Sequence, residues 1–184
     1  MGALGDGAVV TGDRQVAHGA VPAEVLTTER LTLTPLVVDD AEEMTPVLAD
    51  PDLYLFTGGE PPTRDQLADR YARQQLGRSR DGTQRWHNWV VRRREDGAAV
   101  GYVQATVEVS TGAAEVAWVV GAPWQGRGYA TEAATAMAAW LTGHGATGLV
   151  AHVHPGHRAS AAVARALGLH RTGRVVDGED EWTR

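Results

Sequence analysis

The residues of this chain best suited to do chemistry are Gln125-Gly126-Arg127-Gly128-Tyr129-Ala130, set between an apolar run ending at Val120 and an alanine-rich segment. Glycine has no Cβ, so its main chain can come close to a ligand. The first turn of a helix adds N–H groups without intrahelical partners and the positive end of the helix dipole. The expected guest is an anion, a phosphate or pyrophosphate, and Arg127 adds a full positive charge. Spacing narrows the choice. A P-loop requires a lysine after its last glycine, and all 17 basic residues here are arginine. A dinucleotide fingerprint requires a third glycine at position 131, where Thr131 stands.

A second concentration of reactive side chains is His144, His152, His154 and His157. His152 and His154 alternate onto one strand face, but no carboxylate or thiolate stands at matched spacing, so no metal is expected. The absence of cysteine excludes disulfides, thiolate ligands and a cysteine nucleophile. A net charge of -6 argues against nucleic acid as a partner, because neutralising phosphates requires a basic face. No stretch approaches the ~18 apolar residues of a membrane span, and no basic, apolar leader is visible. The expected location is the cytoplasm, without a membrane partner.

The elements that must hold the loop follow from periodicity and breakers. Residues 1–23 are rich in Gly and Ala without period and read as a flexible tail. Residues 24–184 are long enough for one domain. Leu31-Thr32-Leu33-Thr34-Pro35-Leu36 alternates as a strand, and Asp39 or Asp40 opens a helix ending before Pro51. A Gly- and Pro-rich loop covers 57–62, and Thr63 caps a second helix. Strands are expected over 85–94 and 100–109, joined by the turn Glu95-Asp96-Gly97, and again over 115–120. Pro123 ends regular pairing, and a helix runs from the glycine loop to about residue 141. A strand at 149–153, a helix at 159–167 and a hairpin turning at Asp177-Gly178 complete the chain. The order β-α-α-β-β-β-α-β-α-β-β describes an α/β (α+β) domain with a mostly antiparallel, seven-stranded sheet and about four helices.

Gln125-x-x-Gly128-x-Ala130, with the strand before it and Thr131-Glu132-Ala133 after it, resembles the acetyl-CoA loop of the GNAT N-acetyltransferases, in their RimJ/RimL-like branch. The element order is that of the GNAT fold. Pro155-Gly156-His157-Arg158-Ala159-Ser160, followed by Leu167-Gly168, resembles the same family's Pro-x-Asn-x-Ala-Ser segment. His157 stands where the family has asparagine, and imidazole can still donate a hydrogen bond to the cofactor arm. Ala164 stands where many relatives carry the tyrosine that protonates the departing thiolate.

The resemblance implies the rest of the site. Acetyl-CoA is the expected co-substrate, held by Gln125, Gly126, Arg127, Gly128, Tyr129 and Ala130, by the main chain of Val119, Val120 and Gly121, and by His157 and Ser160. Glu115 is the expected base for the amine proton, with partial burial raising its pKa. Ser160 is the nearest substitute for the missing tyrosine, and without a cysteine the transfer is direct. Glu132 reads as an acid favoured by the helix dipole. Trp124, in a loop, is expected at the site rim. The implied activity is transfer of acetyl from acetyl-CoA to a primary amine, on a protein N-terminus or a small molecule. The acceptor would lie against the 56–62 loop, where Glu60 could meet a cation. The alternative is an acetyl-CoA-binding sensor that has lost turnover. A homodimer is left open.

Overall fold

A computed structural model describes residues 22–184, so the expected tail lies outside the described residues except for Pro22 and Ala23. The first half holds β1 (Leu26–Thr27), β2 (Leu31–Pro35), α1 (Asp40–Val47), a 3-10 turn (Pro51–Tyr54) and α2 (Arg64–Gln74). Then come β3 (Gln84–Arg93), β4 (Ala99–Glu108), β5 (Ala113–Val120), a second 3-10 turn (Ala122–Trp124) and α3 (Tyr129–Gly143). β6 (Gly148–Val153), α4 (Arg158–Ala166), β7 (His170–Val176) and β8 (Glu179–Thr183) complete the chain.

The strands form one sheet in the order β1-β2-β3-β4-β5-β6-β8-β7. All described pairs are antiparallel except β5 with β6. This is the expected architecture with eight strands in place of seven. The addition is β1, whose Leu26 and Thr27 pair with Leu33 and Thr32. Two residues are too short for an alternation to reveal.

Helices cover both faces. On one, α3 and α4 bury Ala133, Met137, Leu141, Val163 and Leu167 against Leu31, Val103, Val116 and Leu149. On the other, α1 and α2 bury Met44, Val47 and Leu67 against Val90. Burying each large apolar side chain stabilises the fold by roughly 1.5–3 kcal/mol. α1 is also held to the sheet by charge: Arg92 donates to Asp40 at 2.7 Å, and Glu43 accepts from the Ala99 N–H at 2.9 Å. α2 begins with a capping box between Thr63 and Gln66, the signal its sequence carries.

A cluster of aromatic rings closes the C-terminal end of α3. Trp140 meets Trp89 edge-on at 5.3 Å and His87 at 5.0 Å, and stacks on His144 at 4.2 Å. Glu24 crosses above, accepting from the Trp140 indole at 2.7 Å through its carboxylate and from that of Trp89 at 2.8 Å through its carbonyl. Burial, with Arg85 and His144 nearby, pushes the His87 imidazole down to about 4. A histidine in the unfolded chain titrates near 6.5, so below that pH protons favour unfolding. This contribution is complete above pH ~6.5 and is lost as pH falls toward ~4. Thermal midpoints measured from pH 7 to 4 should fall less steeply in His87→Phe than in the wild type; parallel profiles would remove His87 from acid lability.

Candidate active site

β5 and β6 pair only from Ala113 with Gly148 to Glu115 with Val150. β6 then pairs on its other edge with β8, while β5 runs on to Val120 beside β4 alone. The two strands splay, leaving one edge of β5 without a strand partner among the described residues from Val116 to Val120. The N–H of Gly121 donates to Val100 O in β4 at 2.9 Å. Strand alternation therefore turns the main-chain groups of Val120 and Trp118 toward the open edge and those of Val119 toward β4. Two expected contacts shift accordingly. Val119 is paired with Tyr102, and Gly121 is committed at both ends, its carbonyl accepting from the Trp124 N–H at 2.9 Å. Val120 offers its carbonyl to the opening, where Gln125 Nε2 donates to it at 3.0 Å. Opposite Val120 in β4, only glycine fits. A Cβ at Gly101, the partner of Val120, would sit 2.1 Å from Val119 O.

The glycine loop starts where that edge ends. Gly126 and Gly128 have φ of 73° and 80°, the left-handed region that favours glycine. Gly128 is the N-cap of α3, and no side chain among the described residues caps the helix. Its carbonyl accepts from Glu132 N at 3.0 Å, the first bond of the helix. The N–H groups of Tyr129, Ala130 and Thr131 are left for a ligand. Gln125, Gly126, Arg127 and Gly128 are exposed, while Tyr129 is buried and Ala130 half-buried. Arg127 reaches back to Pro123 O at 3.3 Å. Trp124 is not an exposed rim residue. It is half-buried and packs against both apolar clusters, because β5 ends between them.

Glu115 lies at the last pair before the splay, on the α1/α2 face. The expected burial is not found, since its side chain is 59 % exposed. Its Oε1 instead meets His152 Nδ1 at 3.0 Å. That partner is two residues past Val150 on β6, and sequence patterning placed it only among candidate metal ligands.

The turn after β6 organises the α4 end of the cleft. His157 is the N-cap of α4, its Nδ1 accepting from the Ser160 N–H at 3.4 Å. An Nδ1 that accepts fixes the neutral ring as its Nε2–H tautomer, a donor. Burial and the neighbouring His154 lower its pKa, against a smaller opposing effect of Glu179, which favours that neutral form. The ring of Phe56 stacks on His157 at 4.6 Å and tilts against His154 at 5.1 Å, bringing the 56–62 loop to the cleft. Ser160 is half-buried, and its hydroxyl makes no hydrogen bond to the described residues. Ala164 is fully buried, in the core cluster that also holds Val163 and Leu167.

The histidines are thus occupied singly. His144 Nδ1 meets Trp140 O at 2.8 Å, and His154 Nδ1 accepts from the Gly156 N–H at 3.0 Å. Among the described residues no three His, Asp or Glu side chains gather as metal ligands. No described helix is long and apolar enough to cross a membrane.

Comparison with known proteins bears on this arrangement. A family model for the acetyltransferase (GNAT) domain matches residues 30–170. No protein of curated function matches. Among solved structures, an acetyltransferase from Agrobacterium tumefaciens superposes with a TM-score of 0.68 at 25% identity, over 89% of this chain and 95% of that one. RimL, the ribosomal L7/L12 α-N-protein acetyltransferase solved with coenzyme A, gives 0.70 at 14% identity, over 88% and 97%. The microcin C7 self-immunity acetyltransferase MccE, solved with acetyl-CoA and AMP, gives 0.70 at 13% identity, over 85% and 93%. The uncapped helix, the glycine loop and the open strand edge fit a diphosphate joined to an amide-bearing arm. The chain belongs to the GNAT acetyltransferase family and is RimL-like in fold.

Proposed function

We propose that this domain, residues 24–184, transfers acetyl directly to a primary amine at the slit between β5 and β6. The observation that carries the reading is one of position: the edge of β5 left by β6 ends at Val120, and the uncapped start of α3 follows at Gly128. In this reading the N–H groups of Gly126, Arg127, Gly128, Tyr129 and Ala130 receive the pyrophosphate. The main chain of Trp118 and Val120 meets the pantetheine amides as an added strand would. Gln125 then exchanges its bond to Val120 for the ligand, and His157 donates its Nε2–H to the same arm.

The chain's groups divide the proton work between two faces of the sheet. Glu115 and His152 stand on the α1/α2 face, whereas α4 and its Ser160 pack on the α3 face. An amine arriving on the first face passes its proton to Glu115 as nitrogen attacks the thioester carbon. The carbon–sulfur bond then breaks, and the thiolate departs toward Ser160, whose free hydroxyl donates to it. A thiolate with a pKa near 8.5 is a tolerable leaving group without a full acid, so one hydrogen bond suffices. The acceptor is a primary amine, on a protein N-terminus or a small molecule, with the Phe56 loop covering it and Glu60 free to meet its charge.

The second reading, a coenzyme sensor without turnover, is favoured by one observation: Ala164 is sealed in the core where an acid would stand. Mass spectrometry of N-terminal peptides, polyamines and aminoglycosides incubated with acetyl-CoA separates the two. Acetylated product is the expected result, and none across that panel would sink the enzymatic assignment. Ser160→Ala should slow the productive reaction about 10-fold, the scale of one neutral hydrogen bond at about 0.5–1.5 kcal/mol. An unchanged rate would take Ser160 off the thiolate.

A further inference from the structure

The turn between β1 and β2 is tied to the start of α3 across 102 residues of sequence. Glu132 Oε1 accepts from Thr28 Oγ1 at 2.6 Å and from the Arg30 N–H at 2.9 Å. Its Oε2 accepts from Arg30 Nε at 2.8 Å and lies 2.6 Å from Nη2. These bonds outweigh the effect of burial and hold the Glu132 carboxyl below its ordinary pKa. The same guanidinium donates through Nη1 to the Arg127 carbonyl at 2.9 Å and lies over the Tyr129 ring at 4.9 Å. Only a planar, forked cation can serve a carboxylate and a carbonyl together in this way.

In a trans peptide the C=O and the following N–H point in opposite directions. Holding the Arg127 carbonyl toward Arg30 therefore turns the Gly128 N–H away, to the open side of the loop. The carboxylate of Glu132 has a second consequence. It suits the helix dipole, but unpaired it would repel an anion seated on the same first turn. Arg30 cancels that charge where it stands.

We propose that Arg30 is a positioning residue for coenzyme A: paired with Glu132, it orients the Arg127–Gly128 peptide and neutralises the acid beside the diphosphate. The proposal rests on the reading of this loop as the pyrophosphate site. Its consequence is that coenzyme affinity is set partly by the β1–β2 turn, far in sequence from the glycines.

Calorimetry with CoA needs no knowledge of the acceptor. Arg30→Ala should weaken CoA binding about 10- to 100-fold, the scale of one or two charge-assisted hydrogen bonds. Glu132→Gln should bind CoA at least about as well as the wild type. Arg30→Ala/Glu132→Gln should recover several-fold of the affinity lost in Arg30→Ala, without recovering its melting temperature. A merely structural clamp would not produce that separation. Arg30→Lys, which keeps the charge but cannot span both acceptors, should fall between. Wild-type affinity in Arg30→Ala, or a double variant no better than Arg30→Ala, would overturn the proposal. If Arg30→Ala does not fold, Arg30→Gln takes its place with the same expectation. A wild-type protein that fails to bind CoA would instead overturn the site reading beneath it.

Discussion

Gly128→Val should abolish measurable CoA binding while the protein stays folded. The residue has φ of 80° and caps α3, so a β-branched side chain strains the backbone by about 1–3 kcal/mol. It does not clash. The nearest atom to a Cβ built there is Arg30 Nη2 at 3.5 Å, an ordinary contact with the end of a long side chain. The substitution acts instead through the backbone: relief of the left-handed φ re-aims the main-chain N–H groups expected to meet the diphosphate. Losing two charge-assisted hydrogen bonds, at about 1.5–3 kcal/mol each, already lowers affinity by roughly 10²–10⁴. Gly126→Val offers a second test, because a Cβ there meets no protein atom within 4 Å, so its effects are confined to backbone strain and ligand contact. Calorimetry that finds unchanged CoA affinity in a folded Gly128→Val protein would place the coenzyme elsewhere.

Local features explain why so much of this site is legible in the sequence. Gly126 and Gly128 announce a loop and a helix start by composition, and both hold the positive φ that glycine permits. Pro123 marks the end of the ladder, and the structure ends β5 at Val120. The Asp177-Gly178 hairpin and the Thr63 cap are equally local. What sequence cannot supply is register. Val119, Val120 and Gly121 look alike in a list, and only the bond from Gly121 N to Val100 O decides which main-chain groups face the opening.

Partners distant in sequence were illegible for the same reason. His152 is 37 residues from Glu115, and it reaches the carboxylate because β5 and β6 lie parallel up to that point. Arg30 is 97 residues from the carbonyl it holds, and nothing in a window around the glycine loop signals it. Phe56 reads only as the apolar residue before the 57–62 loop, yet it stacks on His157. Trp124 misled for a related reason. A tryptophan beside proline in a turn suggests exposure, but the turn closes over the seam between the two apolar clusters.

Glu115→Gln should lower kcat by about 10²–10⁴ at neutral pH while CoA affinity stays as it was. A primary amine with a pKa of about 8 or 10 arrives largely protonated, so attack requires a group to take that proton. Glutamine preserves the shape and one hydrogen bond to His152, but an amide does not accept a proton in this range. The loss should shrink as pH rises through the amine's own pKa, because the free base then forms without help. Unfolding cannot mimic this result. The Glu115–His152 pair is largely exposed on its carboxylate side, and such pairs contribute about 0–1 kcal/mol to stability. Melting temperatures of variant and wild type should therefore nearly coincide. His152→Gln sharpens the test, since it removes the imidazole and leaves the carboxylate. A loss smaller than that of Glu115→Gln assigns the proton to Glu115, with the imidazole holding it in place. An equal loss makes the pair act as one unit, with the free Nε2 as the receiving atom. A near-wild-type pH–rate profile in Glu115→Gln would make both residues bystanders at the mouth of the splay and leave the proton to water.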